Sequence, residues 1–348
     1  MKMYKYILLL VFVFFSCKDK SVEPTGDTPN DPVNDNYVIA YDTPGEGNVY
    51  IYNASTKALV RVTSMVVDTS YFAFVSSFSD NGHELLYTLD YRKPGKEDWL
   101  FCLRDDIFSY NLITGKTVRL SDTEFQERKP KYSKDGEHII YESSANGNSD
   151  IYMIDRSGNN KKLLVSNPGY EHNPQFVMDD KKIFYSSYRD GKSEFYLNDI
   201  NGDNEEQLTY NGLGGEASVS SNNDFFVCSA AEGIYKYDFA SRTSTLLIPN
   251  PNTTDFDLNL NPKISGDSKY ILYINTLGPM SHAYLYNFES KNKIDMGIVF
   301  VGDFTKDSKN IVSLQRDGMH LFNIYSRTDS ILVRHQILSF DMVVSSLK

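Results

Sequence analysis

A chain whose turn residues and apolar runs recur about every 44 residues can bury its apolar surface only by stacking copies of one small unit, and this pattern dominates the 348 residues. An acidic or amide residue marks a tight turn in each copy: Asp80, Asp135, Asp179, Asn223, Asp267 and Asp307, at intervals of 55, 44, 44, 44 and 40. Asp and Asn support such turns through side-chain bonds to nearby backbone, and a following Gly, as at Gly82 and Gly136, takes positive φ without penalty. An apolar run follows each turn, for example Ile139-Ile140-Tyr141, Ile183-Phe184-Tyr185 and Ile271-Leu272-Tyr273. These runs do not alternate, as expected of strands buried on both faces. A third run does alternate and ends on an acid or amide, as in 150–155 (DIYMID) and 194–199 (EFYLND). A fourth, such as 206–209 (EQLT), is short and polar, which suits an outer edge. Aromatics at 14%, led by Tyr and Phe, favour strands over helices. The unit is therefore a four-stranded sheet, and the fold class is all-β.

Particular segments carry a family resemblance. Residues 130–136 (PKYSKDG) and 174–180 (PQFVMDD), with 199–209 (DINGDNEEQLT), resemble the signature and the ending of TolB-type, WD40-like β-propeller repeats. The likeness is clearest over 124–210, and degenerate copies extend it from about 37 to 346. Residues 37–63 read as strands two to four of a blade lacking its first strand, and 337–344 (ILSFDMVV) read as a first strand with nothing after it. Joining them completes a blade and closes the ring without leaving a long sheet edge exposed. With six complete repeats this predicts seven blades; six is the alternative if an end segment packs outside.

The ends of the chain add a location. Lys2 and Lys5 precede an apolar run, 7–15, that is too short to span a bilayer and fits the core of an export signal. Ser16-Cys17 resembles the lipobox of bacterial lipoproteins, which implies lipidation at Cys17; an ordinary signal with an incidental cysteine is the other reading. Residues 18–36 (KDKSVEPTGDTPNDPVNDN) lack the apolar content to build a core and read as a flexible tether. The domains expected are thus a signal peptide over 1–16, a lipidated Cys17 and tether over 17–36, and one propeller over 37–348. Cys102 and Cys228 fall in different repeats and read as buried small residues rather than a disulfide. The net charge is −11, and losing Lys2 and Lys5 leaves 33 cations against 46 acids. That balance argues against nucleic acid and anionic lipid as partners; the lipid anchor is the expected membrane contact, and the body is expected to be monomeric.

Propeller chemistry gathers where loops enter the first strands and join strands two and three. On that basis Arg128, Glu171, His172, Asn173 and Arg189 are candidates for a ligand site at the channel mouth. His172 serves either as a ligand or acid/base beside Glu171, or simply as an exposed loop residue. The second blade is about eleven residues longer than its neighbours, and its extra segment, 90–101, holds Trp99, the only Trp, with several cations. Trp99 is either a binding hot spot or packs on its own blade. No H-x-x-x-H or H-E-x-x-H spacing appears, so a metal site would have to be assembled across blades, and neither a metal nor a cofactor is expected. Asp199, Asn201, Asp203 and Glu205 mimic the opening of a calcium loop, but the repeat itself demands turn residues there. Resemblance to TolB implies a non-catalytic module that binds a protein or glycan on the cell envelope. Oligogalacturonate lyases also use such repeats, so an envelope enzyme acting on acidic oligosaccharide is the alternative. A prolyl oligopeptidase-type peptidase fails, because there is no G-x-S-x-G nucleophile motif.

Overall fold

The computed structural model describes residues 37–43, 48–63, 72–90, 104–251, 258–276, 281–334 and 342–347. They form seven four-stranded antiparallel sheets, and none of them is helical. Blades 2 to 7 follow in chain order over 72–119, 127–165, 170–207, 217–249, 259–298 and 301–334. Blade 1 is composite: Met342–Ser346 pairs antiparallel with Tyr37–Thr43, in register from Tyr37 opposite Ser346 to Tyr41 opposite Met342. The predicted closure and the seven-blade count both hold. The closing strand begins at Met342, and residues 335–341 lie outside those described.

Seven clusters of buried apolar side chains fill the seven spaces between neighbouring blades, so the molecule has a ring of cores. This explains why the second strands show no alternation. In blade 3, Ile139 and Tyr141 face blade 2 while Ile140 faces blade 4. In blade 4, Ile183 and Tyr185 face blade 3 while Phe184 faces blade 5. Successive side chains point to opposite faces, and here both faces are interior. Each fully buried Ile or Phe contributes roughly 1.5–3 kcal/mol. Third strands share this fate more than their sequence suggests: Phe195, Tyr196 and Leu197 are all buried, because the sheet is covered on both sides. Two fourth strands are exposed throughout, all four residues of Ala58–Arg61 and of Lys116–Arg119 facing solvent, while Lys162–Val165 buries Leu164 and Val165.

One end of the ring carries the first turns. A hydroxyl residue opens most of them, accepting from the backbone N–H five residues on and donating to the acid or amide between. Ser133 Oγ accepts from the His138 N–H (2.9 Å) and donates to Asp135 (2.6 Å); Ser265 with Asp267 and Thr305 with Asp307 repeat this. Two turns expected at Asp80 and Asn223 are shifted by one residue, since Ser79 bonds Asn81 and Ser220 bonds the Phe225 N–H. Blade 4 has Val177 at the hydroxyl position and instead places Met178, Asp179 and Asp180 at positive φ. Neighbouring turns are tied to one another: Asp180 accepts from the Lys134 N–H (2.7 Å), Asn223 from the Met178 N–H (3.1 Å), and Ser308 Oγ from the Asp267 N–H (2.9 Å). Blade 1 has chain ends in place of a turn, and Lys306 of blade 7 reaches past it to Asp80 of blade 2 (3.2 Å).

Candidate binding site at the channel mouth

The innermost strands of all seven blades line a central cavity of about 570 Å³. Four of these strands change register: that of blade 2 between Val75 and Ser77, and three others in a β-bulge of one kind, between Arg128 and Lys131, His172 and Gln175, and Leu260 and Lys263. In each bulge one residue is left-handed and the next is a buried proline: Lys129 (φ 50°) before Pro130, Asn173 (φ 54°) before Pro174, and Asn261 (φ 52°) before Pro262. Proline cannot donate to a ladder and is tolerated on an inner edge, and a bulge re-aims the side chain it carries. Here Lys129, Asn173 and Asn261 all line the cavity, and the Lys129 ammonium donates to Asn173 Oδ1 across the blade boundary.

Of the site candidates that fall among the described residues, namely Arg128, Glu171, His172, Asn173 and Arg189, Asn173 lines the cavity. Its N–H donates to Glu142 Oε1 (2.7 Å), and Glu142 Oε2 lies 3.3 Å from His172 Nδ1, so one carboxylate of blade 3 holds both residues. The His172 side chain is 44% exposed and lies parallel to the exposed Tyr170 ring at 6.2 Å. Tyr170 pairs across the sheet with exposed Tyr188, which gives the mouth of blade 4 an aromatic shelf.

Glu171, Arg128 and Arg189 are engaged within the scaffold. Glu171 is fully buried and accepts from Ser187 Oγ (2.8 Å). Burial pushes its carboxyl above the usual range, against the pull of that hydroxyl and of Arg189. Glu127, 44 residues earlier, repeats the arrangement with Ser143 (3.3 Å). Arg189 grips Glu205 with two nitrogens (2.6 and 2.9 Å) and stacks over Tyr196 (4.1 Å). That occupies Glu205 in the supposed calcium loop, while Asp199 accepts from Asn204 (2.6 Å) and Lys182 (2.7 Å); turn chemistry accounts for both. Arg128 is paired with buried Asp105 of blade 2. Trp99, Cys17 and Cys102 lie outside the described residues. Cys228 is buried, and burial raises its thiol to about 12.

A second pattern went unread in the sequence. The Leu-Thr endings are latches. Thr209 Oγ1 accepts from the Phe195 N–H (2.9 Å) and donates to buried Glu194 (2.6 Å). Ser121 does the same with the Ile107 N–H (2.8 Å) and Asp106 (3.5 Å), and Thr63 with the Val49 N–H (2.9 Å) and Asn48 (3.3 Å). The acids at positions 106, 150 and 194 recur at 44-residue spacing, the signal that could have revealed them. Among the described residues no three His, Cys, Asp or Glu side chains are arranged to hold a metal ion.

Comparison with known proteins places this geometry. No curated protein matches the sequence. Similar solved structures include TolB from Acinetobacter baumannii, at 16% identity and TM-score 0.56, over 89% of this chain and 82% of that one. An oligogalacturonate lyase in complex with manganese is 10% identical with TM-score 0.61, over 85% and 84%. A chain of a nidogen/laminin complex is 10% identical with TM-score 0.54, over 90% and 99%. At these identities the likeness is one of fold. The family model of the TolB beta propeller domain matches residues 103–307, more than half of the sequence. The chain is therefore a member of the TolB beta propeller domain family.

Proposed function

We propose that this protein is a non-catalytic binding propeller of the cell envelope, held by a lipid at Cys17 and engaging a protein or glycan partner at its channel mouth. The observation that carries the reading is the ring of bulges that turns Lys129, Asn173 and Asn261 into one cavity, beside the aromatic shelf of Tyr170 and Tyr188. Loops on a rigid scaffold are where recognition concentrates, and exposed aromatics beside cations and amides suit a partner's surface. The enzyme alternative needs a cluster of metal-binding histidines, whereas His172 meets one carboxylate, Glu142. Tyr37 begins a second strand at the turn end, beside Ser346, so the described chain enters the propeller at the end opposite the mouth.

The test is recovery of envelope proteins and glycans by the purified chain. Asn173→Ala/Asn261→Ala and Tyr170→Ala/Tyr188→Ala should each lower recovery at least severalfold, Trp99→Ala should lower it less, and Lys309→Ala at the turn end should leave it unchanged. Equal recovery by all four variants and wild type would sink the proposal. Cys17→Ser should release the protein from membranes; continued membrane association would refute the anchor.

A further inference from the structure

The outer edges of the seven blades are not alike. An edge strand presents unpaired backbone groups, and proteins blunt such edges by keeping them short or placing charge on them. Six of the outer strands follow that rule. Ala58–Arg61, Lys116–Arg119 and Lys162–Val165 have four residues each and carry cations, Glu206–Gln207 has two residues, and Lys293–Ile298 and Asp329–Arg334 each carry both signs of charge. Blade 5 ends on Thr243–Pro249 (TSTLLIP), the longest of the seven and free of charge. A register shift at Leu247 and the proline at 249 interrupt its far end, which leaves 243–246 as a regular stretch. All four of those residues are exposed, and among the described residues no strand pairs with their outer side. Thr243 Oγ1 meets Ser241 Oγ (2.8 Å), a contact between side chains that leaves the backbone edge open.

The stretch is shaped to receive its own copy. Within the blade Ser244 is opposite Tyr237 and Leu246 opposite Tyr235, so both share the face turned toward blade 4. On that face lies a hollow of about 250 Å³, bounded by Tyr210, Leu213, Tyr237 and Ser244, beside the two-residue outer strand of blade 4. Arg242 at its rim is paired with Glu206, so the hollow presents no unanswered charge there. A two-fold axis normal to the sheet keeps the blade-4 faces of two copies on the same side, and residues directly opposite in an antiparallel pair share a face. The strand can therefore pair with its copy only about one of its own residues. With Thr245 on the axis, Ser244 lies opposite Leu246 of the second copy. The 41% exposed Leu246 of each copy then covers the hollow of the other, and threonine meets threonine at the centre. The same pairing at Lys116–Arg119 would crowd like charges together.

We propose that the protein forms a two-fold dimer through blade 5, residues 243–246 of two copies pairing antiparallel into one eight-stranded sheet, with Leu246 of each seated beside Ser244 of the other. This takes the place of the monomer expected from the sequence and is independent of what the mouth binds. Sheet twist of roughly 20–25° per strand turns an outer strand about 60–75° from the inner one. The two-fold axis thus runs closer to the ring axis than across it, and both mouths face the same way.

The experiment is sedimentation equilibrium of the purified chain over a roughly hundredfold range of concentration, which should show monomer and dimer in exchange. Thr245→Lys sets two ammonium groups beside the axis and should weaken the dimer at least about tenfold. Leu246→Ala should weaken it severalfold, and Thr245→Val should preserve it. Opposite residues of an antiparallel pair have Cα atoms about 4.5–5.5 Å apart, within reach of a disulfide. Mild oxidation of Thr245→Cys should therefore give a covalent dimer, and Thr243→Cys should give no more than wild type. Wild type that stays monomeric throughout the range would overturn the proposal, as would a dimer that Thr245→Lys leaves intact. Cross-linking at 243 in place of 245 would overturn the register and with it the seating of Leu246.

Discussion

At the turn end of the propeller a polar side chain is commonly answered by the next blade: Asp180 by the Lys134 N–H, Asn223 by the Met178 N–H, Ser308 by the Asp267 N–H. At the mouth end the same kinds of residue are tied within their own blade, as Glu194 is by Thr209, or to the next blade, as Glu142 is by the Asn173 N–H and Asp105 by Arg128, or turned into the channel, as Asn261 is. On the proposed function recognition belongs to the mouth while the turn end is structural alone, and that division can be tested by breaking each end separately.

The largest expected effect lies at the turn end. Gly82 has φ +76°, and a Cβ there would overlap the Ser346 carbonyl oxygen of the closing strand. Gly136, at the same turn position in blade 3, has φ +74° but open space around it. Gly82→Ala should therefore cost more than the roughly 1 kcal/mol of backbone strain expected for Gly136→Ala, by about 2 kcal/mol more, since the overlap is with backbone that cannot rotate away. Urea denaturation of the two variants measures the difference. Equal losses would mean that Ser346 is not fastened beside Gly82, and the ring would then close in some other way.

The middle effect is at the mouth. Thr209→Val keeps the shape but removes the hydroxyl that donates to Glu194 and receives the Phe195 N–H, leaving two buried groups short of a partner. A loss of about 2 kcal/mol is expected, with binding of any mouth ligand preserved at temperatures where the fold persists. If Thr209→Val abolished binding without lowering stability, the latches would belong to the recognition surface, and the division between the two ends would fail.

The strands, blades and closure were legible because periodicity reports burial directly: Ile139, Ile140 and Tyr141 have to be interior whichever blade they face. The mouth was less legible, because chain position shows which loop a residue occupies but not what holds it. Arg189 and Glu171 read as ligands until Glu205, Tyr196 and Ser187 are seen around them, and those contacts arise only when one blade folds back on itself. The bulges had a signal that went unused. Lys129-Pro130, Asn173-Pro174 and Asn261-Pro262 lie 44 and 88 residues apart, and a residue that tolerates positive φ before a proline marks a break in an inner strand. The one-residue shift at Ser79 and Ser220 has a related cause: the hydroxyl, not the acid, sets the turn, and several neighbouring acids and amides could be aligned equally well.

The subtlest prediction separates the two ends by pH. At the mouth of blade 7, His320 lies between Asp329 (Nδ1, 2.7 Å) and Asp317 (Nε2, 2.9 Å), with both ring nitrogens on carboxylates. The Asp329 bond leads in raising its pKa, with Asp317 adding to it against the opposing effect of burial, and Arg334 acts on Asp317 from the adjoining strand. A folded pKa above the unfolded value, about 6.5, means this contribution is complete below that value and is lost as pH rises through the raised one. At the turn end Asp135 behaves in the opposite sense. The Ser133 hydroxyl leads in lowering its pKa, so its contribution is present above the unfolded value, about 3.9, and is lost as pH falls through the lowered one. Denaturation midpoints followed from acid to alkaline pH should decline at both extremes. His320→Gln should flatten the alkaline limb and Asp135→Asn the acid limb. A crossed result, with the His320 variant changing the acid limb alone, would show that the imidazole is not held as a cation between Asp317 and Asp329.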